Sequence, residues 1–361
     1  MFACTRYWVG TGSTANWNAT ANTNWSTSSG GSNNASVPTT TDDVCFDANS
    51  PAGTISASTA INSIDMTGFT HTLTWNSSVA LTIDGNGVTA KLAGTVSFTG
   101  STGTIIFTGT SGTTLFTSGG NTPGGITVNG AGGTVQLQDN LSLNVSAGSI
   151  TLTTGTLDTN GKTVTAGTLS SSNSNTRALT LGATDFKLNN AGTGTPWNIA
   201  TSTNMTLTPG SSTIEFTGTV GTKTFAGGGL TYNNIKLNDT NANNLTITGA
   251  NTFNDITITG GSNAHTLTLP SSTTTTATTF HATGASGHVI TLAPGTASTV
   301  YTLSVASGTV SCDWLSMTFS TATGGATFYA GANSTDGGNN TGWIFTAPPG
   351  GVNSNFFIFM K

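Results

Sequence analysis

Short runs in which one aliphatic residue alternates with one threonine constrain this chain more than any other feature. In NLTITG, Leu245 and Ile247 alternate with Thr246 and Thr248; in NDITITG, Ile256 and Ile258 alternate with Thr257 and Thr259; in HTLTLP, Leu267 and Leu269 alternate with Thr266 and Thr268. A period of two puts the aliphatics on one face of a strand and the threonines on the other. Threonine is β-branched and stiff at χ1, so it favours strands over helices. A disordered, low-complexity chain of the same residues would have no reason to keep this register.

The surface must be kept wet without charge. Only 6% of the 361 residues are charged, against roughly 25% in an ordinary soluble domain. Hydroxyls and amides do the work instead, since about one residue in five is Thr and Ser and Asn fill most other polar positions. There is a single Glu, Glu215, and no window with an apolar period of 3.6 over three turns. The chain reads as all-β. A net charge of −5 is a weak field that argues against nucleic acid, which needs clustered Lys and Arg. No stretch approaches the ~18 apolar residues of a membrane span. The opening Met1–Trp8 shows no basic region, apolar stretch or small-residue cleavage site, so synthesis in a cytoplasm without export is expected. Cys4, Cys45 and Cys312 are odd in number and widely spaced; free, mostly buried thiols are the expectation.

Four segments are expected. Residues 1–50 form a Trp-rich N-terminal cap with Trp8, Trp17 and Trp25. Residues 51–317 are a repetitive body, with strands such as TLTW (72–75), TIIF (104–107), TIEF (213–216) and VITL (289–292) between Gly, Asn, Asp and Ser turns. Residues 318–346 form a C-terminal cap, to which Trp314 and Trp343 are assigned. Residues 347–361 are a Pro/Gly linker and an apolar docking tail, Phe356-Phe357-Ile358-Phe359-Met360. Within the body, LTYNNIKLND (230–239) repeats as NTFNDITITG (251–260) with Tyr232 and Phe253 equivalent, and TTFHATG (278–284) reads as a further copy. A period in the low twenties is what one rung of a parallel β-helix requires, each rung burying its apolar face on the next. The expected fold is a right-handed parallel β-helix, or β-solenoid, of about 11–13 rungs and on the order of 55–60 Å long, at ~4.8 Å per rung. Tandem antiparallel β-sandwiches are the competing architecture.

The first block carries an ordered set of motifs: YWVGTG (7–12), ANWN (15–18), TNWS (23–26), VP (37–38) and DDVCFD (42–47). It resembles the opening of β-helical repeat proteins of tailed phages and of bacterial surface or autotransporter-type passengers. The closing YAGANSTDGGNNTGWIF (329–345) resembles the end of such phage-associated proteins. Together the two matches cover about 70 residues. The resemblance implies a capped β-solenoid and a structural or attachment role.

No catalytic, cofactor-binding or metal constellation emerges. NGKT (160–163) lacks the Gly that a phosphate loop needs four residues earlier, and it sits between strands. The histidines His71, His265, His281 and His288 include no metal-ligand pair and read as solvated turn residues. Asp84, Asp158, Asp239 and Asp336 sit in Gly/Asn turns that Asp favours for itself, Asp255 and Glu215 look isolated, and Asp42, Asp43 and Asp47 lie in the cap. The expectation is therefore a non-enzymatic component of a phage virion, a fibre, spike or capsid decoration, made in the host cytoplasm. Its expected partners are copies of itself, with a trimer as one arrangement, other virion proteins and a host-surface glycan. A bacterial surface adhesin or extracellular filament subunit is the alternative, and a glycan-cleaving tailspike the third reading.

Overall fold

The computed structural model describes residues 4–10, 16–19, 24–144, 148–239 and 241–349. It is nearly all β, with parallel coils stacked into a β-solenoid of about 13 turns, which at ~4.8 Å per turn gives a rod roughly 60 Å long. Among the described strand pairs only Arg6–Trp8 with Trp25–Ser26 runs antiparallel; the sandwich alternative would have required that pattern throughout. A first ladder runs the length of the stack, from Thr59–Ile61 to Thr335–Asp336. A second runs from Arg6–Trp8 and Asp43–Cys45 through Ser63–Asp65 and Thr89–Lys91 to Arg177–Thr180 and Met205–Thr208. A third is built by Gly53–Ile55, Thr72–Trp75 and Thr95–Phe98, and further along by a nine-stranded set that ends at Ser320–Thr323.

The register of the first ladder shows why the alternation matters. Leu81, Ile105, Ile126, Ile150, Leu169, Trp197, Phe225 and Ile247 are successive pairing partners, so one side chain sits on the next along the axis. All are at most 1% exposed. The step between partners ranges from 19 residues (Ile150 to Leu169) to 28 (Leu169 to Trp197). The stack tolerates this spread because the extra residues leave in the corners while the pairing is kept. Each such side chain contributes roughly 1.5–3 kcal/mol by leaving water, and one continuous core runs from Trp8 to Ala330.

The repeat unit read from the sequence is the structural one. Tyr232 pairs with Phe253, their rings stacked at 5.7 Å. TTFHATG is a further copy, with an offset: Ala277 takes the place beside Phe253, and Phe280 lies beside Ile256. No break in pairing occurs between 317 and 318. Ser320–Thr323 continues the third ladder from Tyr301–Val305, and Thr327–Tyr329 pairs in parallel with both Thr309–Ser311 and Trp343–Ile344. The segment expected as a separate closing cap therefore prolongs the stack. At the other end Asp43–Cys45 is already a rung of the second ladder, so the first block joins the body without a linker.

The corners hold the tightest packing. Gly155 has φ 81°, and a Cβ there would lie 2.2 Å from the Gly130 carbonyl oxygen of the rung below. Gly287 also has a positive φ, 80°, but a Cβ there meets nothing within 4 Å. Gly287→Val should therefore cost roughly 1–2 kcal/mol, the penalty of left-handed backbone. Gly155→Val should cost that plus about 1–3 kcal/mol of overpacking. Denaturant unfolding of the two variants separates the terms, and equal losses would mean that close approach of the rungs does not limit this corner.

Candidate functional surface

In a chain with 21 charged residues among 361, five of them gather on the outward face of the third ladder. Asp185 and Lys187 alternate with the inward Phe186 and Leu188, and Glu215 alternates with Ile214 and Phe216. Lys236 lies between the inward Ile235 and Leu237, and Asp255 precedes Ile256. Pairing register stacks Lys187, Glu215, Lys236, Thr257 and His281 in one column. Asp185, Thr213, Asn234, Asp255 and Thr279 form the neighbouring column.

Opposite charges fall beside each other in this arrangement. Lys187 Nζ lies 3.2 Å from Asp185, Lys236 Nζ 3.1 Å from Glu215, and His281 Nε2 3.4 Å from Asp255. Asn238 donates to Glu215 at 3.2 Å, and the hydroxyls of Thr257 and Thr279 donate to Asp255. Glu215 and Asp255, isolated in the sequence, are thus engaged by the next rung. Beside His281 a shallow groove of about 210 Å³ opens between Thr278–His281 and Val305–Ser311.

The two carboxylates are poorly spaced for glycoside cleavage. Glu215 lies two rungs below Thr257 in its column, and Asp255 lies two residues to the side. With ~4.8 Å between rungs and ~3.3 Å per residue, the two positions are about 12 Å apart. Paired glycosidase carboxylates stand about 5–9.5 Å apart.

Other polar residues turn inward. Arg177 is 1% exposed and donates to the carbonyls of Ser171, Asn175, Thr201 and Thr203 at 2.5–3.1 Å. Lys223 is fully buried; its ammonium donates to the carbonyl of Asn190 at 3.0 Å and to that of Gly192. Burial lowers the Lys223 pKa from its ordinary value. His265, expected as a solvated turn residue, is 2% exposed. Its Nδ1 lies 2.7 Å from the Asn243 carbonyl and its Nε2 3.0 Å from Asp239. His71 and His281 are exposed as expected, and His288 is half-buried.

The turn aspartates divide into two kinds. Asp336 accepts from the Gly338 N–H, closing its own turn; Asp158 does the same with the Asn160 N–H and also takes Gln136 of the neighbouring rung at 2.8 Å. Asp84 accepts from Thr108, and Asp239 from the N–H groups of Ser262 and Asn263, so these two tie one rung to the next. Of the cap aspartates, Asp47 closes a local turn, taking Asn49; Asp42 takes Arg6 of the first strand at 3.0 Å, and Asp43 takes Asn62 and Ser63 of the next rung.

The tryptophans assigned to caps fare differently at the two ends. Trp8, Trp17 and Trp25 are buried together around Phe46, with ring centroids 4.6–6.0 Å apart. Trp343 packs on Phe328 at 5.1 Å and donates to Ser320. Trp314 sits half-buried at φ 54° in a corner before Leu315–Met317, and is not brought to Trp343. Phe356, Phe357, Ile358, Phe359 and Met360 lie outside the described residues.

The thiol expectation is corrected. Cys4 and Cys45 form a disulfide, with Cα atoms 5.8 Å apart, across 41 residues of sequence that hide the contact. Cys312 remains free and buried, and burial pushes its thiol up to about 12, leaving it protonated and unreactive. Among the described residues no group of three His, Cys, Asp or Glu side chains could hold a metal ion. No family model, no curated protein and no solved structure matches this chain.

The carboxylates that tie rungs together set an acid limit. Burial pushes Asp239 up, but hydrogen bonds from Ser262, His265 and Asn263 outweigh it and leave the carboxyl below its ordinary value. Asp42 is likewise held low: the bonds from Thr39 and Thr5 and the charge of Arg6 outweigh its burial. A depressed folded-state value means stability that is present above about pH 4, where the unfolded carboxyl titrates, and is lost as pH falls through the folded value. Asp239→Asn should flatten the acid side of the stability curve. Urea midpoints from pH 7 to pH 2 check this; parallel losses in parent and variant would remove Asp239 from the account.

Proposed function

We propose that this protein is a non-enzymatic structural component of a phage virion, a fibre, spike or capsid decoration, in which the solenoid acts as a rigid spacer and attachment element. The observation that carries the reading is how the polar groups are used. Arg177, Lys223 and His265 bind backbone or rung-tying carboxylates, and Glu215 and Asp255 are taken up by neighbouring rungs. The polar chemistry of the molecule thus goes into holding one coil on the next. A continuous core over about 13 turns supplies the stiffness a spacer needs, and the motif resemblance of the first and last segments supplies the phage context.

The disulfide favours a second reading, a bacterial surface adhesin or extracellular filament subunit, because disulfides persist in oxidising surroundings. Mass spectrometry of purified particles and of cell-envelope fractions separates the two. The proposal expects the chain in particles; recovery from envelopes alone would replace it with the adhesin.

In the virion reading Phe356–Met360 dock the rod onto a neighbouring virion protein, since five consecutive apolar residues are poorly tolerated in open water. Truncation after Gly351 should leave the solenoid folded and abolish incorporation into particles. Undiminished incorporation of the truncated chain would overturn the docking role.

A further inference from the structure

The three ladders do not share the charge evenly. The second carries Asp65, Lys91 and Asp158 on outward positions, and the third carries the paired set described above. On the first ladder, from Thr59–Ile61 to Leu315–Met317, every outward residue is Ala, Gly, Ser, Thr, Asn, Pro or Ile. No Asp, Glu, Lys, Arg or His projects from these strands; the exposed Asp336 lies one rung beyond them, on the strand that ends the ladder. The basic residues and the histidine of these strands, Lys223 and His265, point inward. Columns such as Thr82, Thr127 and Thr151, or Thr224, Thr246 and Thr268, run along the axis with Ile106 among them.

We infer that this charge-free face is where a second copy of the chain packs, face to face, in a two-fold dimer. The inference rests on the structural reading above and names the self-contact within it. The area is sufficient. About 12 strands at ~4.8 Å, each at least three residues or ~10 Å long, give on the order of 600 Å² per copy. Two such faces bury about 1,200 Å², the lower bound for specific interfaces. A face that meets its own copy benefits from lacking charge, because a two-fold contact sets like against like. Small side chains let two sheets approach to the ~10 Å of ordinary sheet stacking. The threonine methyls then lose water while their hydroxyls still find partners across the contact. Other occupants fit less well. Nucleic acid needs cations that the face lacks, and a charged protein partner would find no opposite charge on it.

Sedimentation velocity of the full chain over a wide concentration range tests the inference. The parent should dimerise reversibly. Thr151→Lys with Thr246→Lys, which places charge on the face, should abolish the dimer. Thr180→Lys with Thr257→Lys, which places the same charge on the other two ladders, should leave it intact. Far-UV circular dichroism confirms folding, and Thr127→Glu with Thr268→Glu repeats the test should the first pair misfold. A parent that stays monomeric, a charged face that dimerises like the parent, or equal loss in the control pair overturns the inference. A monomer that still enters particles would sink only the dimer; a dimer absent from particles would sink only the virion assignment.

Discussion

Every rung of this solenoid has an apolar face that it can bury only on the rung before and after it. That stacking of like on like, with Leu81 on Ile105 and Ile105 on Ile126, is the contact on which the rest of the molecule depends. Parallel in-register pairing fixes it in space, because a slip of one residue would turn each aliphatic column outward and each threonine column inward. Coil length is then free to vary between 19 and 28 residues, since the corners absorb what the ladders do not need.

Once the inward columns are fixed, each polar residue that falls on one must find a partner inside. Arg177 and Lys223 are met by main-chain carbonyls, and His265 by a carbonyl and a carboxylate. A buried charge left unmet would cost several kcal/mol, so these residues mark places where the corner above or below is shaped to receive them. Outward charges, by contrast, meet neighbours along the third ladder at 3.1–3.4 Å, Lys187 with Asp185 on its own strand and Lys236 and His281 with carboxylates one rung away. Ion pairs this exposed are worth little singly. Their consequence lies in distribution, because they leave one long face of the rod without charge.

Much of this was legible residue by residue. The strands at 72–75, 104–107 and 213–216 fall where the alternation put them, and the pairing of Tyr232 with Phe253 was readable from a 21-residue repeat. The same parity also placed Lys223 with Phe225, Arg177 with Leu179, and His265 with Leu267, all inside; chemical habit, which puts cations and histidines in water, masked that signal for His265. Nothing local pointed to the disulfide. Cys4 and Cys45 meet only because the chain returns after 41 residues to lie beside the first strand.

The sequence by itself determined what repeats: strands of two-residue period, turns rich in Gly and Asn, a coil in the low twenties, and hence a parallel stack with threonine outside. Those are consequences of local sterics and of the need to bury alternate side chains, and they are written in consecutive residues. Only the tertiary structure decided which outward positions share a ladder. That sharing is set by coil lengths that differ from turn to turn, so the gathering of Asp185, Glu215, Lys236 and Asp255 on one face, and the absence of charge from another, arise between residues 19 to 28 positions apart. Stacking turns those scattered positions into surfaces.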